Sequence, residues 1–213
     1  MKKILVFAFL AFGFTAFSQN DAKAEKLLNE VSAKIKSYKN ISLDFKYELN
    51  NLSENIKQET RGDVVIEGEK YKLNILGITR IYDGKTLYTI SPEDEEVTIS
   101  SNNTENENTI TPSDMLSFYE DGYTYKMDIV QNVKGRKIQY VKLSPIDANS
   151  EIKYVLLGID ATTKHIYNLI EAGNNGTKTT LTVNSFKTNE PISKTLFTFD
   201  ESKYSDYFIN KID

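Results

Sequence analysis

Along most of this chain apolar and polar residues alternate at every second position, the period of strands that bury one face. The cleanest run sets Ile41, Leu43, Phe45, Tyr47 and Leu49 against Ser42, Asp44, Lys46 and Glu48. After a polar turn, a second strand is predicted over residues 56–66, and Gly62 inside it marks a bulge or a close backbone approach. Residues 62–99 then read as a meander of short antiparallel strands. Tyr71, Leu73 and Ile75 alternate with Lys70, Lys72 and Asn74, and Asp83-Gly84 offers the positive φ angles of a tight hairpin before Leu87, Tyr88 and Ile90. Further strands are predicted over residues 123–129, 136–143, 152–159, 165–170 and 177–186, with turns at Asp160-Ala161-Thr162-Thr163 and Gly173-Asn174-Asn175-Gly176. The tail carries Leu196-Phe197-Thr198-Phe199 and then Tyr204, Tyr207 and Phe208.

Two segments switch to helical spacing. Between residues 21 and 38 the apolar stripe is Ala24, Leu27, Leu28, Val31, Ile35 and Tyr38, with lysines and Glu30 largely off it. At Thr111-Pro112-Ser113-Asp114 a capping residue, a first-turn proline and an acidic residue three positions on predict a short helix, stopped by Asp121-Gly122. It presents Met115, Leu116, Phe118 and Tyr119. The preceding stretch 101–109 holds no apolar residue and reads as a solvated loop. The fold class is therefore mainly β (α+β), one long antiparallel sheet with an N-terminal and a short central helix. Helices over one face of a curved sheet enclose either a packed core or an apolar cavity, and periodicity does not choose between them.

Composition narrows the function. Residues 1–18 combine Lys2-Lys3, an apolar run and Ala16-Phe17-Ser18, the pattern of a cleaved secretory signal; the run is shorter than the roughly 20 apolar residues of a spanning helix. Residues 19–213 form one domain, with no sequence repeat at a fixed period. The absence of cysteine rules out disulfides, thiolate metal sites and a lipidated N-terminus. A net charge of −4, more negative once Lys2 and Lys3 are gone, argues against nucleic acid. Catalytic readings are poor: His165 is the single histidine, read as a partly exposed strand residue, and Glu93-Asp94-Glu95-Glu96 reads as a solvated hairpin end without calcium-loop spacing. No metal and no cofactor is expected.

Several segments, taken in order, resemble the LolA family, the periplasmic carriers of outer-membrane lipoproteins in Gram-negative bacteria. They are Ser42-Leu43-Asp44-Phe45, then Gly62-Asp63-Val64-Val65-Ile66, then Tyr82-Asp83-Gly84-Lys85-Thr86-Leu87-Tyr88 with Pro92 after it, the Thr111-Pro112 helix start, and a strand at Phe197-Thr198-Phe199. The resemblance implies an unclosed β-barrel with helices over its opening, enclosing an apolar cavity for acyl chains. By position the cavity wall falls to Leu43, Phe45, Tyr47, Val64, Ile66, Tyr71, Leu73, Ile75, Tyr88 and Ile90, and the lid to Leu27, Leu28, Val31, Ile35, Met115, Leu116 and Phe118.

It also implies a non-enzymatic, monomeric periplasmic carrier. Its partners would be acylated lipoproteins, an inner-membrane lipoprotein-releasing transporter and an outer-membrane acceptor. A LolA-like sensor of lipid or lipoprotein, or a carrier of another lipid, is the alternative. Such a carrier answers a physical need, because each acyl CH₂ left in water costs about 0.8 kcal/mol. One departure stands out: where the best-studied branch has an arginine that closes the lid, this chain reads Glu67-Gly68-Glu69, with Arg61 and Arg80 as substitutes.

Overall fold

The computed structural model describes residues 21–101 and 111–212. The expected leader at 1–18 and most of the polar 101–109 loop lie outside them. One helix, α1 (Ala22–Lys36), precedes twelve strands. These are β1 (Ile41–Asn51), β2 (Ile56–Glu67), β3 (Lys70–Ile75), β4 (Ile78–Tyr82), β5 (Leu87–Ser91), β6 (Glu96–Ser100), β7 (Tyr123–Val133), β8 (Arg136–Pro145), β9 (Ile152–Asp160), β10 (Ile166–Gly173), β11 (Thr177–Thr188) and β12 (Phe208–Ile212).

All twelve form one sheet in the order β12-β6-β5-β4-β3-β2-β1-β11-β10-β9-β8-β7. Each neighbouring pair is antiparallel except β12 with β6, which is parallel. Strand β1 joins the two meanders, pairing with β2 on one side and β11 on the other. The end strands β12 and β7 do not pair with each other, so among the described residues the barrel stays open. Near the middle a register shift between Asp44 and Phe45 leaves Asn184 of β11 as an extra residue, a bulge that sharpens the local twist where the sheet curves.

Helix α1 starts where the pattern placed it. Asp21 caps it by accepting from the Lys23 amide at 2.9 Å, and its other carboxylate oxygen accepts from the Met127 amide of β7 at 3.3 Å. The Asp21 amide donates to the Tyr125 carbonyl at 3.1 Å, so the helix is pinned to the β7 edge at its first residue. Ala24, Leu27, Leu28 and Val31 are buried against the sheet. Their cluster includes Val141, Leu143, Val155, Leu157 and Ile159 of β8 and β9, each at most 1 % exposed.

Three local expectations are corrected. Residues 83–84 do not make a two-residue hairpin: the loop runs from Asp83 to Thr86, only Gly84 has positive φ, and the Asp83 carboxylate accepts from the Lys85 and Thr86 amides, both at 2.8 Å. The central helix is two 3₁₀ turns, Asp114–Leu116 and Phe118–Glu120, because so short a segment closes i→i+3 bonds before Gly122 (φ +81°) ends it. The reciprocal cap is present: Asp114 accepts from the Thr111 amide at 3.1 Å and hydroxyl at 2.7 Å, and its own amide donates to that hydroxyl at 3.1 Å. Phe197-Thr198-Phe199 is not a strand: overlapping turns over 193–198 take in Phe197, and Phe199 follows them in irregular backbone. The last strand comes later, as β12.

Gly62 meets the second of its two expected descriptions. It pairs with Phe45 without a bulge, and a Cβ there would lie 2.6 Å from both the Phe45 Cζ and the Asn74 carbonyl oxygen.

Candidate functional site

Registers decide which side chains share a face. Across β1, β2 and β3 the rows Leu43–Val64–Leu73 and Ile41–Ile66–Tyr71 point to the inner, concave side, beside Phe45 and Ile75. Continuing these rows, Leu73 faces Arg80 of β4, which faces Thr89 of β5, then Thr98 of β6 and Asn210 of β12. Along this row the inner face passes from oily to polar at Arg80, while the neighbouring row Tyr71–Tyr82–Leu87 stays apolar as far as β5.

An apolar cavity of about 200 Å³ lies on the oily side. Seven of the expected wall residues line it, namely Leu43, Phe45, Tyr47, Val64, Tyr71, Leu73 and Ile75, and two of the expected lid residues, Met115 and Leu116, cover it together with Pro112. The far wall is Ile166 and Leu169 of β10 with Leu181, Val183 and Phe186 of β11, which the sequence reading missed. Arg80 is the one charged residue of the lining among the described residues. Residues 166–186 alternate visibly, but their neighbour β1 is over a hundred residues away in the chain, and no local signal announces that pairing.

The other expected site residues sit elsewhere. Tyr88 and Ile90 pair with Ile81 and Thr79, which puts them on the outer face. There they join a second cluster with Ile81, Val97, Ile99 and Ile209, covered by Phe199, Tyr204 and Tyr207. The Tyr88 and Phe199 rings stack at 4.6 Å, and Phe199 stacks on Tyr204 at 5.3 Å. Leu27, Leu28 and Val31 belong to the solid part of the inner core, and Phe118 packs edge-on against Tyr119 and Tyr123 at 5.7 and 5.8 Å. Ile66 and Ile35 line an adjoining cleft of about 340 Å³ between the end of α1 and the 3₁₀ turns, which meets the cavity at Leu116.

Polar contacts fasten the cover. Glu120 accepts from the Ser32 hydroxyl of α1 at 2.6 Å and from the Lys36 ammonium at 2.9 and 3.0 Å; these bonds, Ser32's first, hold its carboxyl below the usual carboxylate range. Ser113 donates to the Gly68 carbonyl at 3.3 Å, within the Glu67-Gly68-Glu69 stretch. Arg61 lies away from the apolar cavity, on a polar groove beside Asp63 and Asn74. At the other side of the cavity His165 stacks on Phe186 at 4.0 Å, and its Nε2 is 2.7 Å from the Tyr38 hydroxyl. Burial, with the Lys34 charge as a lesser cause, pulls the imidazole below its ordinary pKa. Among the described residues no three His, Cys, Asp or Glu side chains converge as metal ligands do, and no helix is long and apolar enough to cross a membrane.

An open, strongly curved sheet around an oily pocket under a short polar-fastened cover defines a class: a half-barrel binding fold. The family model described as "Outer membrane lipoprotein carrier protein LolA" matches residues 36–200, and the chain belongs to that family. Similar solved structures include an uncharacterized conserved protein from Thermus thermophilus, with TM-score 0.56 and 10% identity over 89% of this chain and 99% of that one. LprF from Mycobacterium bovis gives a TM-score of 0.53 and 13% identity over 82% and 97%. MucB gives 0.52 and 14% over 84% of this chain and 64% of its own. At such identities the likeness is one of fold. No curated protein sequence matches the chain significantly.

Proposed function

We propose that this protein is a periplasmic, non-enzymatic carrier that takes the acyl chains of lipoproteins into its inner cavity and conveys them from the inner to the outer membrane. The reading rests on one observation: the concave face surrounds an oily space bordered by Pro112, Met115 and Leu116, in whose lining Arg80 is the one charged group among the described residues. At about 200 Å³ that space is below the roughly 300–1,000 Å³ of pockets that hold drug-sized ligands, so a long chain enters only if the 3₁₀ cover swings out. Family membership supports the cargo class. The leader-like residues 1–18 support export, which leaves residues 19–213 as the mature carrier, supplied by an inner-membrane transporter and relieved by an outer-membrane acceptor.

The test uses a fluorescent dipalmitoyl lipopeptide. The wild-type protein should bind it saturably. Leu181→Glu puts a charge in the wall, and Met115→Glu puts one on a partly exposed cover residue that tolerates it in the empty protein; each should weaken binding at least tenfold with an unchanged circular dichroism spectrum. Absence of binding, or equal binding by both variants, overturns the carrier reading. Co-purification from the periplasm of a protein that carries no acyl group does so too, and points to the sensor alternative.

A further inference from the structure

We propose that Arg80 is the head-group residue of this cavity, donating to the carbonyl or carboxylate oxygens at the polar end of a bound acyl chain. The inference rests on the carrier reading above and adds to it the place where the chain's polar end lies.

Three observations carry it. Among the described residues, Arg80 is the one charged side chain lining the cavity, the rest being aliphatic or aromatic residues and Pro112. Its register fixes its face: Leu73 opposite it on β3 lines the same cavity, and Thr89, Thr98 and Asn210 continue its row across β5, β6 and β12. Along this row Arg80 therefore marks the boundary at which the concave face turns from oily to hydrogen-bonding. Beyond that boundary the polar character is real, because Thr98 donates to Glu96 at 3.2 Å and Asn210 donates to the same carboxylate oxygen at 3.4 Å.

An acyl chain filling the oily space ends in oxygens that lose their water as they enter. A burial of that kind is favourable only where donors replace the lost hydrogen bonds. A guanidinium offers a planar fork of N–H donors matched to paired oxygens, which an ammonium does not. Arg80 has contacts of its own in the empty protein, so the ligand oxygens exchange for these and do not meet a bare charge. The peptide or glycerol beyond the ester then follows the row of Thr89 and Thr98 outward, while the tail points toward Leu181 and Phe186.

The experiment compares a dipalmitoyl lipopeptide with its dialkyl ether analogue, which lacks the ester carbonyl oxygens, and with palmitate. Wild-type protein should bind ester more tightly than ether by about tenfold. Arg80→Gln should erase that preference while leaving ether binding within about twofold, and Arg80→Lys should keep only part of it. A larger Arg80 dependence for the lipopeptide assigns the site to ester oxygens, and a larger one for palmitate assigns it to a free acid. Equal binding of ester and ether by the wild-type protein overturns the assignment of Arg80 and leaves the carrier reading standing. A uniform loss of all three probes in Arg80→Gln also overturns it, as the sign of a merely structural role. A wild-type protein that binds none of the probes overturns the carrier reading and this assignment with it.

Discussion

The first three strands of the sheet turn most of their oily residues inward, whereas the next three keep Tyr82 and Leu87 in the inner core and turn most of the others outward. In β1 to β3 the rows through Leu43 and Ile41 face the cavity. In β4 to β6 the oily residues Ile81, Tyr88, Ile90, Val97 and Ile99 lie on the outer face, beneath a tail that carries Phe199, Tyr204 and Tyr207. Both regions have the same period of two, and a shift of one residue between strands exchanges the faces. The inner region has a core that is solid at β8 and β9 and hollow at β10 and β11; the outer region is a small closed patch whose partner is the chain's own C-terminal segment. The difference teaches that hollowness here is placed by register and by what the tail covers, and not by how oily a strand is.

The largest expected effect separates solid from hollow. Leu157, fully buried in β9, should lose about 4 kcal/mol on truncation to Ala, since transfer and cavity costs add. Leu181 already borders empty space, so Leu181→Ala should cost about 1–2 kcal/mol. Urea unfolding of both variants checks this, and equal costs would mean that the cavity is packed in solution. Next, Phe199→Ala should cost roughly 2–3 kcal/mol by removing the stacks with Tyr88 and Tyr204 while leaving lipopeptide affinity unchanged. Loss of affinity in that variant would join the two faces into one functional unit. Gly62→Val should cost about 2 kcal/mol and also weaken binding, because its new side chain meets an immovable carbonyl on one side and drives the Phe45 ring into the cavity on the other. Stability loss with intact binding would show that Phe45 yields in some other direction.

Much of this was legible beforehand. The strands β1, β2, β3 and β7 to β11 and the reciprocal cap at Thr111 and Asp114 follow from spacing and from the short-range hydrogen bonds those side chains make. The family resemblance, not spacing, pointed to the near wall, and Leu43, Val64 and Leu73 share a face because they lie on consecutive strands joined by short turns. The far wall was not legible, since Leu181 and Phe186 reach the cavity only through the β1–β11 pairing, which closes a very long loop. Tyr88 and Ile90 were misplaced for a different reason. The loop 83–86 fixes the register of β5 on β4, and its length depends on how the Asp83 side chain gathers the Lys85 and Thr86 amides, not on the Asp-Gly pair alone. The tail strand failed because Phe197 and Phe199 are oily for the sake of burial against the sheet, without a strand neighbour to pair with.

The smallest effect reads the hollow side directly. His165 is the single histidine of the chain, so its imidazole proton signals need no assignment by mutagenesis. Burial holds the neutral form, with Lys34 adding to it and Asp160 opposing, so the folded pKa lies below the ordinary 6.5. A base whose folded pKa is depressed contributes stability that is fully present above the unfolded value, and this is lost as pH falls from 6.5 through the folded value. An NMR titration should therefore show a midpoint under 6.5, with stability declining over the same interval. Phe186 both lines the cavity and covers one face of the ring at 4.0 Å. Phe186→Ala should admit water and move the midpoint back up toward 6.5, and a bound acyl chain, by excluding water, should move it further down. A midpoint at or above 6.5 in the wild-type protein would mean that the ring is already wet, and that this side of the cavity stands open in solution.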